Sequence, residues 1–249
     1  MRARDTIRHM SSRNSTHTPS PGKGEQNDLE RLLMAVLHDD REAVKKLLKS
    51  HPPLATATVP RPRLYQAEIV HWLYTNDTAL HLAAAGHRVE IAGLLLAAGA
   101  DPNARGNHRQ SRPLHYACDG FQQVPFDPRE QVKMIRVLLK AGADIHAADK
   151  NGATALHRAV RTRSAAAVAF LLQCGADPTI RNRPGATPFH LAVQNTGRGG
   201  TGGLAAKNAQ REIIETMLAH NVSPAMQDAQ GKSVLDWAKN ASVREMLNK

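Results

Sequence analysis

One four-residue motif returns four times along the chain, as Thr78-Ala-Leu-His81, Arg112-Pro-Leu-His115, Thr154-Ala-Leu-His157 and Thr187-Pro-Phe-His190. Units spaced 34, 42 and 33 residues apart are too small to bury a core alone, so neighbours must stack and the array must grow in one direction. A second landmark keeps the same rhythm. Gly-Ala-Asp follows a Leu-Leu pair at Gly99, Gly142 and Gly175, and Asn221-Val-Ser223 takes the corresponding place a fourth time. Asn is the residue expected to replace Gly where a helix ends in the left-handed region.

Between the landmarks, Ile91-Ala-Gly-Leu94-Leu95-Leu96, Met134-Ile135-Arg-Val137-Leu138-Leu139 and Val168-Ala-Phe170-Leu171-Leu172 place apolar residues at helical spacing over one broad face. Each unit therefore reads as two helices, the second stopping at the Gly or Asn. From motif histidine to that stop is 18 residues after His81 and His157, but 27 after His115 and 31 after His190. Two units thus carry insertions of 9 and 13 residues, both between the paired helices. From stop to next motif end the count is 16, 15, 15 and 15, so the later connections are regular.

These residues resemble the ankyrin repeat, with its T-P-L-H turn opening one helix and its L-L-x-x-G-A-D segment closing a second. The resemblance covers residues 27–249. It implies an all-α repeat solenoid, an array of stacked antiparallel helix pairs joined by β-hairpin-like fingers. It also implies that Thr and His hydrogen-bond around the start of each first helix; Arg112 in place of Thr puts one such bond in question. The expected organisation is a basic disordered tail over 1–26 and a single repeat domain over 27–249. Within it fall an N-terminal cap at 27–54 and a long first finger at 55–75. Repeats follow at about 76–108, 109–150, 151–183 and 184–230, with a C-terminal cap at 231–249. The caps are degenerate: Leu33 stands where the first histidine would fall, and Ser233-Val-Leu-Asp236 replaces the last motif. The first finger, about 15 residues longer than the others, holds Tyr65, Trp72 and Tyr74.

Lys and Arg outnumber Asp and Glu 33 to 22, for a formal charge of +11, which favours acidic proteins or other polyanions as partners. The two cysteines, Cys118 and Cys174, form no CxxC pair and read as reduced core thiols of a cytosolic protein. No apolar run approaches the ~18 residues of a membrane span. A cytoplasmic, monomeric protein is expected, with delivery to an organelle or a host cell left open.

The recurring histidines read as structural caps rather than metal ligands, since no HxxxH, CxxC or carboxylate cluster accompanies them. Gly197-Arg-Gly199-Gly-Thr-Gly202-Gly203 matches GxGxxG formally but follows a helix rather than a strand, so it reads as a linker and not a nucleotide loop. Neither a nucleophile with its base nor a paired carboxylate stands out; no catalytic, cofactor or metal site is expected. Binding is expected to rest on the finger and groove cations Arg105, Arg109, Arg112, Lys150, Arg158, Arg161, Arg163, Arg181 and Arg183, among which Asp149 is the one acid noted nearby. Trp72 and Tyr74 are candidate anchors, with packing onto the neighbouring finger as their other reading. Phe121, Val124 and Phe126 of the first insertion could form an apolar patch or pack back on the helix ends. The leading function is a non-enzymatic scaffold for an acidic protein. Nucleic-acid binding through the basic face and tail, regulation of another enzyme in the manner of an effector, and an enzyme or nucleotide binder built on the insertions are the alternatives.

Overall fold

The computed structural model describes residues 23–66, 69–106, 108–119, 127–196 and 202–248. Most of the expected tail, the patch residues Phe121, Val124 and Phe126, and Gly197 to Thr201 lie outside the described residues. The helices fall into six antiparallel pairs: α1 (Lys23–Leu37) with α2 (Arg41–Ser50), α3 (Ala79–Ala85) with α4 (Val89–Ala97), α5 (Pro113–Cys118) with α6 (Pro128–Lys140), α7 (Ala155–Arg161) with α8 (Ala165–Gln173), α9 (Pro188–Ala192) with α10 (Leu204–Ala219), and α11 (Val234–Trp237) with α12 (Ala241–Leu247). First helices stack on first helices and second on second from one end to the other. One apolar core runs continuously through all six pairs. Helix α3, Ala-Leu-His-Leu-Ala-Ala-Ala, is buried at every position. Its alanines let the flanking helices approach on both sides, which larger side chains would prevent.

The predicted helix stops fall where the landmarks put them. Gly99, Gly142 and Gly175 take φ of +94°, +90° and +87°, and Asn221, their substitute, takes +57°. Both insertions lie between paired helices, and part of each becomes helix: α6 starts 14 residues before its stop and α10 starts 17 before, against 10 for α8. The long first finger is a β-hairpin of β1 (Arg63–Gln66) and β2 (Val70–Leu73), antiparallel, with Leu64 opposite Trp72. An isolated bridge from Thr58 to Thr78 keeps the same register. A 3-10 turn over Pro52–Ala55 leads into it. Cys118 is buried as expected, but Cys174 is exposed. It occupies the C-cap of α8, one residue before the left-handed Gly175, where the helix has already left the core.

Each motif histidine makes two bonds of different reach. Around the helix start, the backbone N–H of Thr78, Arg112, Thr154 and Thr187 donates to Nδ1 of His81, His115, His157 and His190, at 3.0, 3.0, 3.2 and 3.3 Å. An accepting Nδ1 places the proton on Nε2. From there the ring donates to the backbone carbonyl just ahead of the next repeat's first helix: His81 to Ser111 (3.2 Å), His115 to Ala153 (3.0 Å), His157 to Ala186 (3.2 Å) and His190 to Lys232 (3.1 Å). Arg112 keeps the backbone half of the cap. Its guanidinium, which cannot accept a bond, reaches Asn103 and Asp144 instead, each at 3.3 Å.

Only a neutral imidazole can make both bonds. Burial, first of all, lowers the pKa of His81 to about 4 and of His115 to about 3, the latter helped by the Arg158 guanidinium; His157 and His190 are lowered by burial as well. Unfolded, these rings take up a proton near their ordinary value of about 6.5. Their contribution to stability is therefore complete above that value and is lost as pH falls through it toward the folded values. The melting temperature should be level above about pH 7 and drop steeply between about pH 6.5 and 4. H115Q should be less stable at neutral pH yet lose less on acidification, as thermal melts across that range would read.

Candidate functional site

The third, fourth and fifth fingers are built alike. Asp149 Oδ1 accepts from the N–H groups of Asn151 (2.8 Å) and Ala153 (3.0 Å), and Asp228 Oδ1 from those of Gln230 (2.8 Å) and Lys232 (2.9 Å). Asn182 does the same for Ala186 at 2.9 Å. A carboxylate or amide folded over its own turn fixes each tip. The tips are then tied in series, Lys150 N–H to the Arg109 carbonyl (2.7 Å) and Arg183 N–H to the Asn151 carbonyl (2.7 Å). Side chains on adjacent tips therefore stand in a fixed row.

Where fingers meet first helices, a groove segment of about 590 Å³ opens, lined among others by Arg161, Arg183, Asn151, His157, Pro184 and Leu191. A second segment of about 300 Å³ continues it, sharing Arg161 and Leu191 and adding Arg163, Thr196 and Ala206. Its far wall thus includes Ala206 of α10, within the lengthened part of that helix. Leu191, Pro184 and Ala153 contribute apolar surface, Arg161 and Arg183 stand exposed beside it, and Asp149 and Arg158 line it as well.

The nine candidate cations divide by environment. Arg161 and Arg183 are exposed and share the larger groove segment. Arg161 is 63% exposed and touches Asp119 at 3.4 Å. Arg105, Arg109 and Lys150 are exposed along the second and third fingers. Arg181, also exposed, is held by two bonds to the Gln227 carbonyl, from Nε (3.2 Å) and Nη2 (2.8 Å). Arg112 is half-buried against Asp144. Arg163, half-buried with its pKa lowered by burial, sits at φ +61° and donates to the carbonyls of Ala192 and Gln194, both at 2.9 Å.

Arg158 departs furthest from the expected placement. Its side chain, 7% exposed, reaches Asp119 at 2.5 Å, Asp149 at 2.8 Å and Ser111 Oγ at 2.7 Å. Burial opposes its charge, but the two carboxylates hold the guanidinium above its ordinary pKa, and Arg158 in turn holds the buried Asp149 below the usual range. This charge is neutralised inside the array and joins the third and fourth helix pairs to the fingers that precede them. Asp119 and Asp144 join Asp149 as acids among the cations, so the face is less one-signed than the finger sequences indicate.

Trp72 is 46% exposed. Tyr74 is half-buried, its ring 6.2 Å from that of Trp72 at 24°, with the Arg109 guanidinium 5.7 Å over its centroid and His108 against its edge. Tyr74 therefore packs on the neighbouring finger and Trp72 faces solvent. The Tyr65 side chain lies outside the described residues.

Two residues absent from the candidates hold the inserted repeats together. Gln131 Nε2 donates to the Ala117 carbonyl (2.8 Å) at the end of α5, and Gln210 Nε2 donates to the carbonyls of Ala192 (2.8 Å) and Gln194 (2.7 Å) at the end of α9. Both are buried. Each stands eleven residues before its helix stop, where the uninserted repeats have Arg88 and Ser164. That shared position is the signal that counting would have found. Among the described residues no cluster of three or more His, Cys, Asp or Glu side chains is placed to hold a metal ion, and no helix is long and apolar enough to cross a membrane. Burial pushes the Cys118 thiol pKa up.

Paired helices, left-handed stops and fingers tied tip to tip define a solenoid of one kind, and comparison with protein families agrees. The ankyrin-repeat model matches residues 75–107, and a model of ankyrin repeats in three copies matches residues 128–200. The chain carries ankyrin repeats over these residues. It is similar to ankyrin repeat and SOCS box protein 6 of Mus musculus, 38% identical over 86 residues, which is 34% of this chain and 19% of that protein. The Homo sapiens form is 37% identical over the same length, 34% of this chain and 18% of that protein. Neurogenic locus notch homolog protein 1 of Xenopus tropicalis is 32% identical over 120 residues, 38% of this chain and 5% of that protein. The chain thus spans less than a fifth of the length of each of these relatives.

The contrast between Arg158 and Arg161, three residues apart, gives a direct check. R158A leaves Asp149 buried without its partner and should cost about 3–5 kcal/mol of stability. R161A, at an exposed pair, should change it by no more than about 0.5 kcal/mol. Chemical denaturation of the two variants measures both.

Proposed function

We propose that this chain is a protein-binding module whose groove between the third and fourth fingers and helices α7 and α9 takes an extended acidic segment of a partner. Ankyrin repeats generally mediate protein–protein interaction, and the acidic character of the partner is the step beyond that. The observation that carries it is the groove itself: Arg161 and Arg183 are exposed along it beside Leu191 and Pro184, and the carboxylate in its lining, Asp149, is already paired with Arg158. A segment laid there would bury aliphatic stems on the floor and set carboxylates against two guanidiniums, which match them in planar, two-bonded geometry. The exposed fingertip cations add long-range attraction, raising the rate of encounter more than the final affinity.

The reading needs no chemistry from the chain. The buried thiol of Cys118 is held neutral by its surroundings, and the recurring imidazoles are occupied at both nitrogens. Ankyrin repeat and SOCS box protein 6 carries, by its name, a SOCS box beside its ankyrin repeats; we take from it only that such repeats can sit beside another module. A cytoplasmic monomer remains our expectation.

The test is association of a fluorescein-labelled peptide of alternating Glu and Leu with the full chain at several salt concentrations. R161E/R183E should weaken binding by about tenfold or more and flatten its salt dependence, with helix content and melting temperature unchanged. Equal affinity for the variant, or tighter binding of a single-stranded oligonucleotide than of the peptide, would overturn the groove reading.

A further inference from the structure

The hairpin of the first finger has two unlike faces. Inward, Leu73 is fully buried, and the His71 ring packs 4.8 Å from that of Tyr116. Outward, Leu64 and Trp72 stand directly opposite each other across the strands and are 37% and 46% exposed. Two large apolar side chains paired on the solvent face of a two-stranded hairpin do nothing for the core. Such a pair gains by being covered.

Beside this pair the rings form a column: Trp72 on Tyr74 at 6.2 Å, and Tyr74 under the Arg109 guanidinium at 5.7 Å. Arg109 and His108, both of the second finger, reach back to Tyr74, the guanidinium over its ring and His108 against its edge at 6.2 Å. The column is therefore ordered before any partner arrives, which lowers the entropy lost on binding. Arg105 of the same finger and Lys150 of the next are exposed, and Lys150 is tied to Arg109 by its own backbone N–H. An apolar plate thus stands next to a line of positive charge.

We infer that the outward face of the first-finger hairpin, Leu64, Trp72 and Tyr74 with Arg109, is a second docking site, which takes an aromatic side chain flanked by carboxylates on a protein partner. A ring laid on the exposed face of Trp72 continues the column. Its acidic neighbours meet Arg109 and Lys150, whereas a basic segment would be repelled by them. The site shares with the groove reading the premise of an acidic partner but uses none of the groove's residues.

The chain itself supplies the reporter. Of its two tryptophans, Trp237 is half-buried, donates Nε1 to Asp228 at 2.8 Å and packs against His190, so acrylamide quenching reads mainly Trp72. The probe is a synthetic peptide with a single Phe centred in a run of Asp and Glu, titrated into the full chain. It should protect Trp72 from quenching and shift its emission to the blue. Replacing the peptide's Phe by Ala should weaken binding at least fivefold, as should R109E, and W72F should abolish the fluorescence response. R161E/R183E should leave that response intact even if it destroys groove binding, which separates failure of one site from failure of the other. Circular dichroism confirms that W72F and R109E stay folded, as substitutions of exposed side chains should. Absence of protection by the acidic Phe peptide would overturn the site. So would protection unaffected by R109E, or protection by single-stranded oligo(dT) at lower concentration than by the peptide.

Discussion

The imidazole that joins each repeat to the next is the interaction on which the array depends. A single ring closes the first turn of its own helix through Nδ1 and holds the next repeat at fixed distance through Nε2. No other side chain offers an acceptor and a donor back to back on a rigid plane at this length. The ends of the array show the same logic from the other side. Asp236 occupies the histidine position of the last pair and accepts from the N–H and hydroxyl of Ser233 at 2.8 and 2.7 Å. It performs the local half of the task. Leu33, at the corresponding place in the first pair, is buried in the core instead.

Stacking through one face leaves the turns between paired helices free to vary. Insertions there lengthen a loop whose closure entropy grows slowly with length, and they disturb neither the histidine bridges nor the finger bonds. They do remove the tight turn whose left-handed residue, His87 or Arg163, reaches the carbonyls ending the next repeat's first helix. Gln131 and Gln210 donate instead within their own repeats, to the carbonyls that end α5 and α9. The exposed carbonyls of α5 and α9 thus receive donors from two sides, one from the preceding repeat and one from the inserted repeat itself. Each insertion is accompanied here by such an amide on the helix that follows it.

Much of this was legible in the chain because it is periodic. The recurrence of His81, His115, His157 and His190 gave the unit, and the regular distance to Gly99, Gly142, Gly175 and Asn221 gave each helix its end, even where Asn had to serve for Gly. What periodicity cannot carry is pairing between positions that occur once. Arg158 reads as a surface cation because its helical neighbours Arg161 and Arg163 share its sign. Its partners, Asp119 and Asp149, lie 39 and 9 residues away, and one of them belongs to an insertion boundary that the repeat pattern does not place. Cys174 misleads for a related reason: its segment is helical, but the last residue before a left-handed stop has already turned out of the core. The first finger is the longest irregular stretch, and its β-hairpin, with Trp72 out and Leu73 in, appears only once the strands are in register.

The division of the cations changes what a net charge of +11 means for recognition. Arg158 is neutralised internally, Arg163 and Arg181 are bonded to carbonyls, and Arg112 is shared with Asp144. The exposed cations Arg105, Arg109, Lys150, Arg161 and Arg183, of which Arg161 touches Asp119 and Arg109 packs over Tyr74, are not scattered. Arg109 receives the backbone N–H of Lys150, and Asn151, next in sequence, receives that of Arg183. One continuous line of peptide bonds and hydrogen bonds therefore connects the Trp72 column to the groove wall. An acidic partner long enough to follow that line would meet aromatic and guanidinium contacts in sequence, and binding at one end would raise the effective concentration of its remainder at the other. The histidine bridges underlie this arrangement too, since they fix each finger to the helix pair behind it.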